Sequence, residues 1–89
     1  MGRLENDCIV LLSYVADNPD APQDIRSLEE ATGIPKSTVF KMIYYPWVCT
    51  KDDNFYYWAI EKYADKYGFD FKVMHGLDGK HLSVVRRNI

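Results

Sequence analysis

The residues best suited to chemistry in this 89-residue chain are hydroxyl and lysine side chains that follow a glycine. The segment is Gly33-Ile34-Pro35-Lys36-Ser37-Thr38. Small hydroxyls and free N–H groups at the positive end of a helix dipole favour phosphate. Lysines on the following turns would add an attraction to a nucleic-acid backbone that does not depend on sequence. The segment therefore predicts phosphate contact at the start of a helix.

Other residues that could do chemistry form no comparable pattern. His75 and His81 flank a predicted turn, but the sequence offers no evident third ligand, so no metal site is expected. Cys8 and Cys49 are too few for a disulfide framework and fall among apolar residues, which predicts buried, reduced thiols. The chain lacks a nucleophile–base signature and a glycine-rich phosphate loop. We expect no enzyme activity, no cofactor and no small-molecule ligand.

Charge is distributed unevenly along the chain, although the net charge is only −2. Residues 31–51 carry three lysines and no carboxylate, and residues 71–89 carry four basic residues against one acidic residue. Residues 1–30 and 52–70 are acidic. A protein with a phosphate-facing side and an acidic back has this distribution, and so does an ordinary solvated surface. Charge alone does not separate the two.

Length and composition predict one domain with a small core. Apolar residues make up 47% of the 89 residues. The first residues lack an apolar signal core, and no apolar run approaches membrane-spanning length, so we expect a cytoplasmic protein without a membrane segment. A domain of this size buries only about 60–65% of its unfolded surface, and dimerisation would add stability.

Three N-terminal helices are predicted over residues 4–17, 23–32 and 36–45. Gly33 is expected to end the second helix as a left-handed C-cap, and Pro46 to stop the third. The predicted inner faces comprise Ile25, Leu28 and Ala31 in the second helix and Val39, Met42 and Ile43 in the third.

The segment after the third helix fits two structures. Residues 47–58 are rich in strand formers around a turn-like Lys-Asp-Asp-Asn, which favours a short hairpin. Alternatively, a helix begins with Asp53 as its N-cap and runs through Tyr67. Residues 59–67 are helical in either case. We prefer the hairpin followed by a helix.

The C-terminal segment predicts a second hairpin. Apolar and polar residues alternate from Phe69 onward, and Asp78-Gly79 is typical of a type I′ turn. Residues 80–87 would form the returning strand. A two-residue turn would set Val73 opposite Val84 and Phe71 opposite Arg86.

Residues 25–43 resemble the helix-turn-helix of IclR-type winged-helix regulators, over about a quarter of the chain. In that family, a run of the form Ala-Thr-Gly-Leu-Pro-Lys-Ser-Thr-Val opens the recognition helix, and residues 31–39 follow it closely. One position departs from the family, because Glu29 stands where a small residue is usual. The resemblance implies an α+β, winged-helix-like domain with three N-terminal helices, a fourth helix and one or two C-terminal hairpins.

The resemblance also implies a site and a function. The third helix would enter the major groove of duplex DNA with its outward residues, and Thr38 would lie near a phosphate. The predicted major-groove residues are Lys36, Ser37, Phe40, Lys41 and Tyr44. Arg86 and Arg87 of the second hairpin are predicted to contact backbone phosphates. We expect a small repressor or autoregulator that binds a pseudo-palindrome as a homodimer. The alternative is a protein-interaction module that uses the aromatic surface.

Overall fold

The computed structural model describes residues 2–48, 55–74 and 80–87, the side chains of residues 47 and 48 excepted. Its elements are α1 (Arg3–Asp17), α2 (Ile25–Thr32), α3 (Lys36–Val48), α4 (Phe55–Lys66), β1 (Phe69–Val73) and β2 (Leu82–Arg86). Within these residues the fold is α+β, with four helices and one antiparallel hairpin, as predicted. This layout is compatible with a winged helix.

One core joins all six elements. Its buried residues are Cys8, Leu11, Leu12, Val15, Leu28, Ile34, Val39, Met42, Ile43, Ile60, Ala64, Phe69, Leu82 and Val84. The predicted burial of Cys8 is confirmed, since it lies fully buried on the apolar face of α1. Burial raises the pKa of the Cys8 thiol to about 12, so this cysteine is a protonated, apolar side chain at neutral pH. Cys49 lies outside the described residues.

Helix α2 is shorter than predicted. It begins at Ile25, because Asp24 is the N-cap and its carboxylate accepts the Ser27 N–H at 3.1 Å. The prediction of Ala31 on the inner face was wrong, since Ala31 is exposed while Leu28 is buried and Ile25 half-buried.

Helix α3 continues past the proline that was expected to stop it. Pro46 lies inside the helix, which ends at Val48. A proline lacks the N–H that would bond to the carbonyl four residues back, so one intrahelical hydrogen bond is lost, but Pro46 is buried. Burial of the ring in the core offsets the lost bond.

The hairpin predicted over residues 47–58 was wrong. Residues 47 and 48 end α3, and Phe55 begins α4. The helical alternative is confirmed over residues 55–66, while its proposed N-cap, Asp53, lies outside the described residues. The strand propensity of the aromatic run is overridden because helical spacing buries Ile60 beside Ala59 and Ala64.

The C-terminal hairpin forms, but in a different register. Phe71 pairs with Val84 and Val73 with Leu82, so the pairing is displaced by two residues from the prediction. The predicted turn, Asp78-Gly79, lies outside the described residues. Side chains alternate with a period of two along a strand, so this displacement leaves Leu82 and Val84 facing the core as expected.

A glutamine side chain completes the edge of β2. Gln23 is only 4% exposed. Its Oε1 accepts the N–H groups of His81 and Leu82 at 2.8 Å each, and its Nε2 donates to the Leu82 carbonyl at 2.9 Å. The amide thus takes the place of a neighbouring strand and ties the hairpin to the loop between α1 and α2.

Candidate DNA-binding surface

The turn between α2 and α3 is built around Gly33. This residue has φ 76° and ψ 4°, a left-handed conformation that residues with a Cβ adopt at a cost, and its N–H donates to the Glu29 carbonyl at 2.9 Å. The Thr32 hydroxyl donates to the Leu28 carbonyl at 2.6 Å and accepts the Ile34 N–H at 3.2 Å. The Ile34 side chain is buried. These contacts fix the approach of the two helices.

The first turn of α3 is capped by a carboxylate from α2. The Lys36 N–H donates to Glu29 Oε2 at 3.2 Å, and the Pro35 carbonyl accepts the N–H groups of Thr38 and Val39 at 3.0 Å each. Glu29 is the position that departs from the family pattern, and this hydrogen bond gives it a structural role. A negative charge stabilises the positive end of the helix dipole, but it also lies where a phosphate was expected.

The predicted major-groove residues lie together along α3. Lys36, Ser37 and Phe40 are exposed, whereas Lys41 and Tyr44 are half-buried, as is Thr38. Val39 and Ile43 are fully buried on the opposite side and hold the helix on the core. Lys36 makes no ion pair with any residue that the structure describes. Its charge is therefore directed to solvent.

An aromatic cluster covers much of this face. The Phe40 ring stacks on Tyr44, with centroids 5.6 Å apart and an angle of 24°, and meets the edge of Tyr45 at 5.1 Å. The Tyr44 ring lies 4.6 Å from that of His81, before β2. Sequence reasoning missed Tyr45 and His81 as supports. The four-residue spacing of Phe40 and Tyr44 was the available signal for the stack.

Lys41 lies on the α4 side of the same helix. Its Nζ is 5.4 Å from the centroid of the Tyr56 ring, an arrangement in which the ring face attracts the cation. The lysine stem therefore covers part of the contact between α3 and α4. Its ammonium group remains at the border of the exposed face of α3.

Arg86 and Arg87 lie apart from α3 and are already paired. Arg86 donates twice to the Asp17 carboxylate, at 3.1 Å each, and these bonds hold the pKa of that carboxyl below its usual value. Arg87 donates to Asp70 at 2.7 Å and to Asp65 at 3.0 Å.

These two arginines occupy the open end of the hairpin. His81, which contacts α3, lies five residues before Arg86, or roughly 16 Å along an extended chain. The structure therefore does not bring the two predicted phosphate-contacting groups together. A phosphate that contacts either arginine would share the guanidinium with a carboxylate that is already bonded to it.

Comparison with known proteins supplies neither a family nor a function for this chain. The chain matches no family model, no curated protein and no solved structure. Among the described residues, no group of three His, Cys, Asp or Glu side chains is placed to hold a metal ion. No described helix is both long and apolar enough to cross a membrane.

Proposed function

We propose that the chain is a sequence-specific, double-stranded DNA-binding transcriptional regulator of the IclR-type winged-helix kind, acting in the cytoplasm as a small repressor or autoregulator. The observation that carries the proposal is the rigid turn at Gly33, after which α3 presents Lys36, Ser37 and Phe40 to solvent. In a helix-turn-helix, the second helix enters the major groove and its N-terminal residues contact base edges.

The charges near α3 support this assignment. Residues 31–51 contain no carboxylate, so the lysines of α3 have no acidic neighbour on their own helix. Lys36 is exposed and Lys41 reaches the border of the face. Each lysine that contacts a phosphate releases counterions and strengthens binding at low salt. Glu29 opposes this attraction and limits the affinity that the helix N-terminus contributes.

We also propose that the protein binds DNA as a homodimer, because one reading head of this size rarely gives enough affinity. The stripe of Phe55 and Trp58 on α4, 60% and 49% exposed, is available for a protein contact. The same stripe favours the second candidate function, a protein-interaction module. Sedimentation at several concentrations tests the dimer, and a monomer mass at every concentration would contradict it.

Fluorescence anisotropy with a labelled random-sequence duplex tests DNA binding. The protein is titrated at several salt concentrations, alongside Lys36→Ala/Lys41→Ala. We expect binding that weakens steeply with salt, and a double variant whose log–log salt slope is smaller by up to about 1.8, roughly 0.9 per lost phosphate contact. The matched control is Lys62→Ala/Lys72→Ala, which removes the same charge from exposed positions outside α3.

The outcomes separate the two functions. Equal loss of binding in the control variant would show attraction to overall charge and would contradict a role for α3. No binding at low salt by the folded protein would reject DNA binding and favour the protein-interaction module. In that case Phe55→Ala/Trp58→Ala, rather than the lysine variant, should abolish partner capture.

A further inference from the structure

Phe40 is not explained by attraction to phosphate. It lies in α3 one turn after Lys36, and 40% of its surface is exposed. An apolar ring gains nothing from water or from a phosphate, and the core of this domain is complete without it. Contacts within the protein cover part of the ring, and the exposed part remains available for a contact with a partner.

The ring is also held in place. Tyr44 stacks on one side of it and Tyr45 meets it edge-on, while Tyr44 is itself supported by His81. A side chain fixed by its neighbours loses little conformational entropy when it makes a contact. Phe40 is therefore a preorganised apolar surface at the centre of the proposed DNA-binding face.

The major groove presents few partners to such a surface. Its base edges display hydrogen-bond donors and acceptors, which a phenyl ring cannot match, and one apolar group, the C5-methyl of thymine. We propose that Phe40 is a specificity-determining residue that packs against a thymine methyl. The preferred substrate is then duplex DNA with thymine where the middle of α3 meets the groove. This inference rests on the proposed function.

Two kinds of side chain along α3 would then have different roles in binding. Lys36 and Lys41 supply affinity that depends on salt and not on sequence. Phe40 supplies discrimination that depends on one methyl group and responds little to salt, because it involves no charge.

The test uses a duplex selected from a random pool and resynthesised with deoxyuridine in place of each thymine in turn. This change removes only the methyl group. We expect one or two positions at which deoxyuridine weakens wild-type binding about four-fold, the effect of one buried methyl-sized group. Phe40→Ala should bind the thymine and deoxyuridine duplexes equally, with an unchanged salt slope.

A second variant guards against a folding defect. Phe40→Gln keeps a good helix former on the exposed face and should likewise lose the methyl effect. If the wild type ignores every deoxyuridine, or both variants retain its full sensitivity, the inference is wrong. Salt-sensitive binding that still prefers the selected duplex over random DNA would in that case leave the proposed function intact. Absence of any DNA binding would overturn both.

Discussion

The two basic segments of this protein carry the same net charge, but most of the basic residues in the second segment form ion pairs within the fold and the described ones in the first do not. Residues 31–51 and residues 71–89 are each +3. In the first, Lys36 extends to solvent without an ion pair to the described residues. In the second, Arg86 and Arg87 are bonded to carboxylates from α1, α4 and β1, and Lys80 lies 3.5 Å from Asp20. The number of basic residues in a segment therefore does not determine how many of them are free to bind a partner.

The position of the carboxylates explains the difference. The hairpin packs between the C-terminal ends of α1 and α4, which bring Asp17 and Asp65 to its open end. Among the described residues, two carboxylates lie near the start of α3: Asp7 lines a pocket together with Ser37 and Thr38, and Glu29 bonds to the helix backbone rather than to a lysine. Three of the four basic residues of the second segment are therefore paired within the fold, whereas Lys36 and Lys41 form no ion pair with a described residue.

Removal of the Gln23 side chain should cause the largest loss of stability, because its amide holds in place the hairpin that contains the second basic segment. Gln23→Ala leaves the buried N–H and carbonyl of Leu82 without their partners. We expect a loss of about 2–4 kcal/mol in the free energy of unfolding, measured with urea. The control is Arg26→Ala, at the exposed second residue of α2, which should change the free energy of unfolding little. A loss as small as the control's would mean that water replaces the amide readily.

Two double variants test whether the arginines and the lysines differ in this way. Arg86→Ala/Arg87→Ala should lower the melting temperature slightly and leave DNA affinity within about two-fold, because both arginines already have carboxylate partners. Lys36→Ala/Lys41→Ala should weaken DNA binding strongly and change the melting temperature little. The same two assays, thermal unfolding and anisotropy, are run on both variants. A strong loss of DNA affinity in the arginine variant would place phosphates at the hairpin and remove the distinction.

Local signals made the α2–α3 region predictable. Gly33 adopts the left-handed conformation that the sequence indicated, and the residues after it start a helix. Helical periodicity also indicated that Lys36, Ser37 and Phe40 are exposed, but not that Lys41 and Tyr44 are half-buried. These features depend on residues that are close together in the chain, so they can be predicted from a single sequence.

Tertiary contacts made the rest unpredictable. Pro46 is accommodated because the core buries it, and the aromatic run at Phe55 is helical because α4 has a core to cover. The pairing of Arg86 with Asp17 joins residues far apart in the chain, and so does the bond from Gln23 to Leu82. Such contacts have no local pattern, so the sequence did not predict that the arginines bond to carboxylates.

Smaller changes in stability and in DNA affinity are expected from a substitution at Glu29, the acid bonded to the first turn of α3. Glu29→Gln keeps the size and the acceptor but removes the negative charge beside the first turn of α3. Stability should fall by about 0.3–1 kcal/mol, because the helix dipole loses its counter-charge. DNA affinity should rise, because a phosphate no longer meets a carboxylate there. Glu30→Gln, which is exposed and paired with Arg26, is the matched control. Equal gains in affinity from both changes would point to overall charge.

The smallest effect concerns His81, where the hairpin meets α3 against Tyr44. Burial lowers the pKa of His81 in the folded protein below its ordinary value of 6.5. Below about pH 6.5 the unfolded chain therefore binds more protons than the folded one, and stability should fall as the pH decreases toward the lowered pKa. His81→Phe keeps a ring against Tyr44 and cannot titrate. Urea midpoints at about pH 7 and about pH 5 should differ more for the wild type than for this variant. The carboxyls of Glu5, Asp17 and Asp24, whose pKa values are lowered, remain ionised in this range and contribute equally to both proteins. Identical pH profiles would mean that His81 is solvated, and would contradict its burial where the hairpin meets α3.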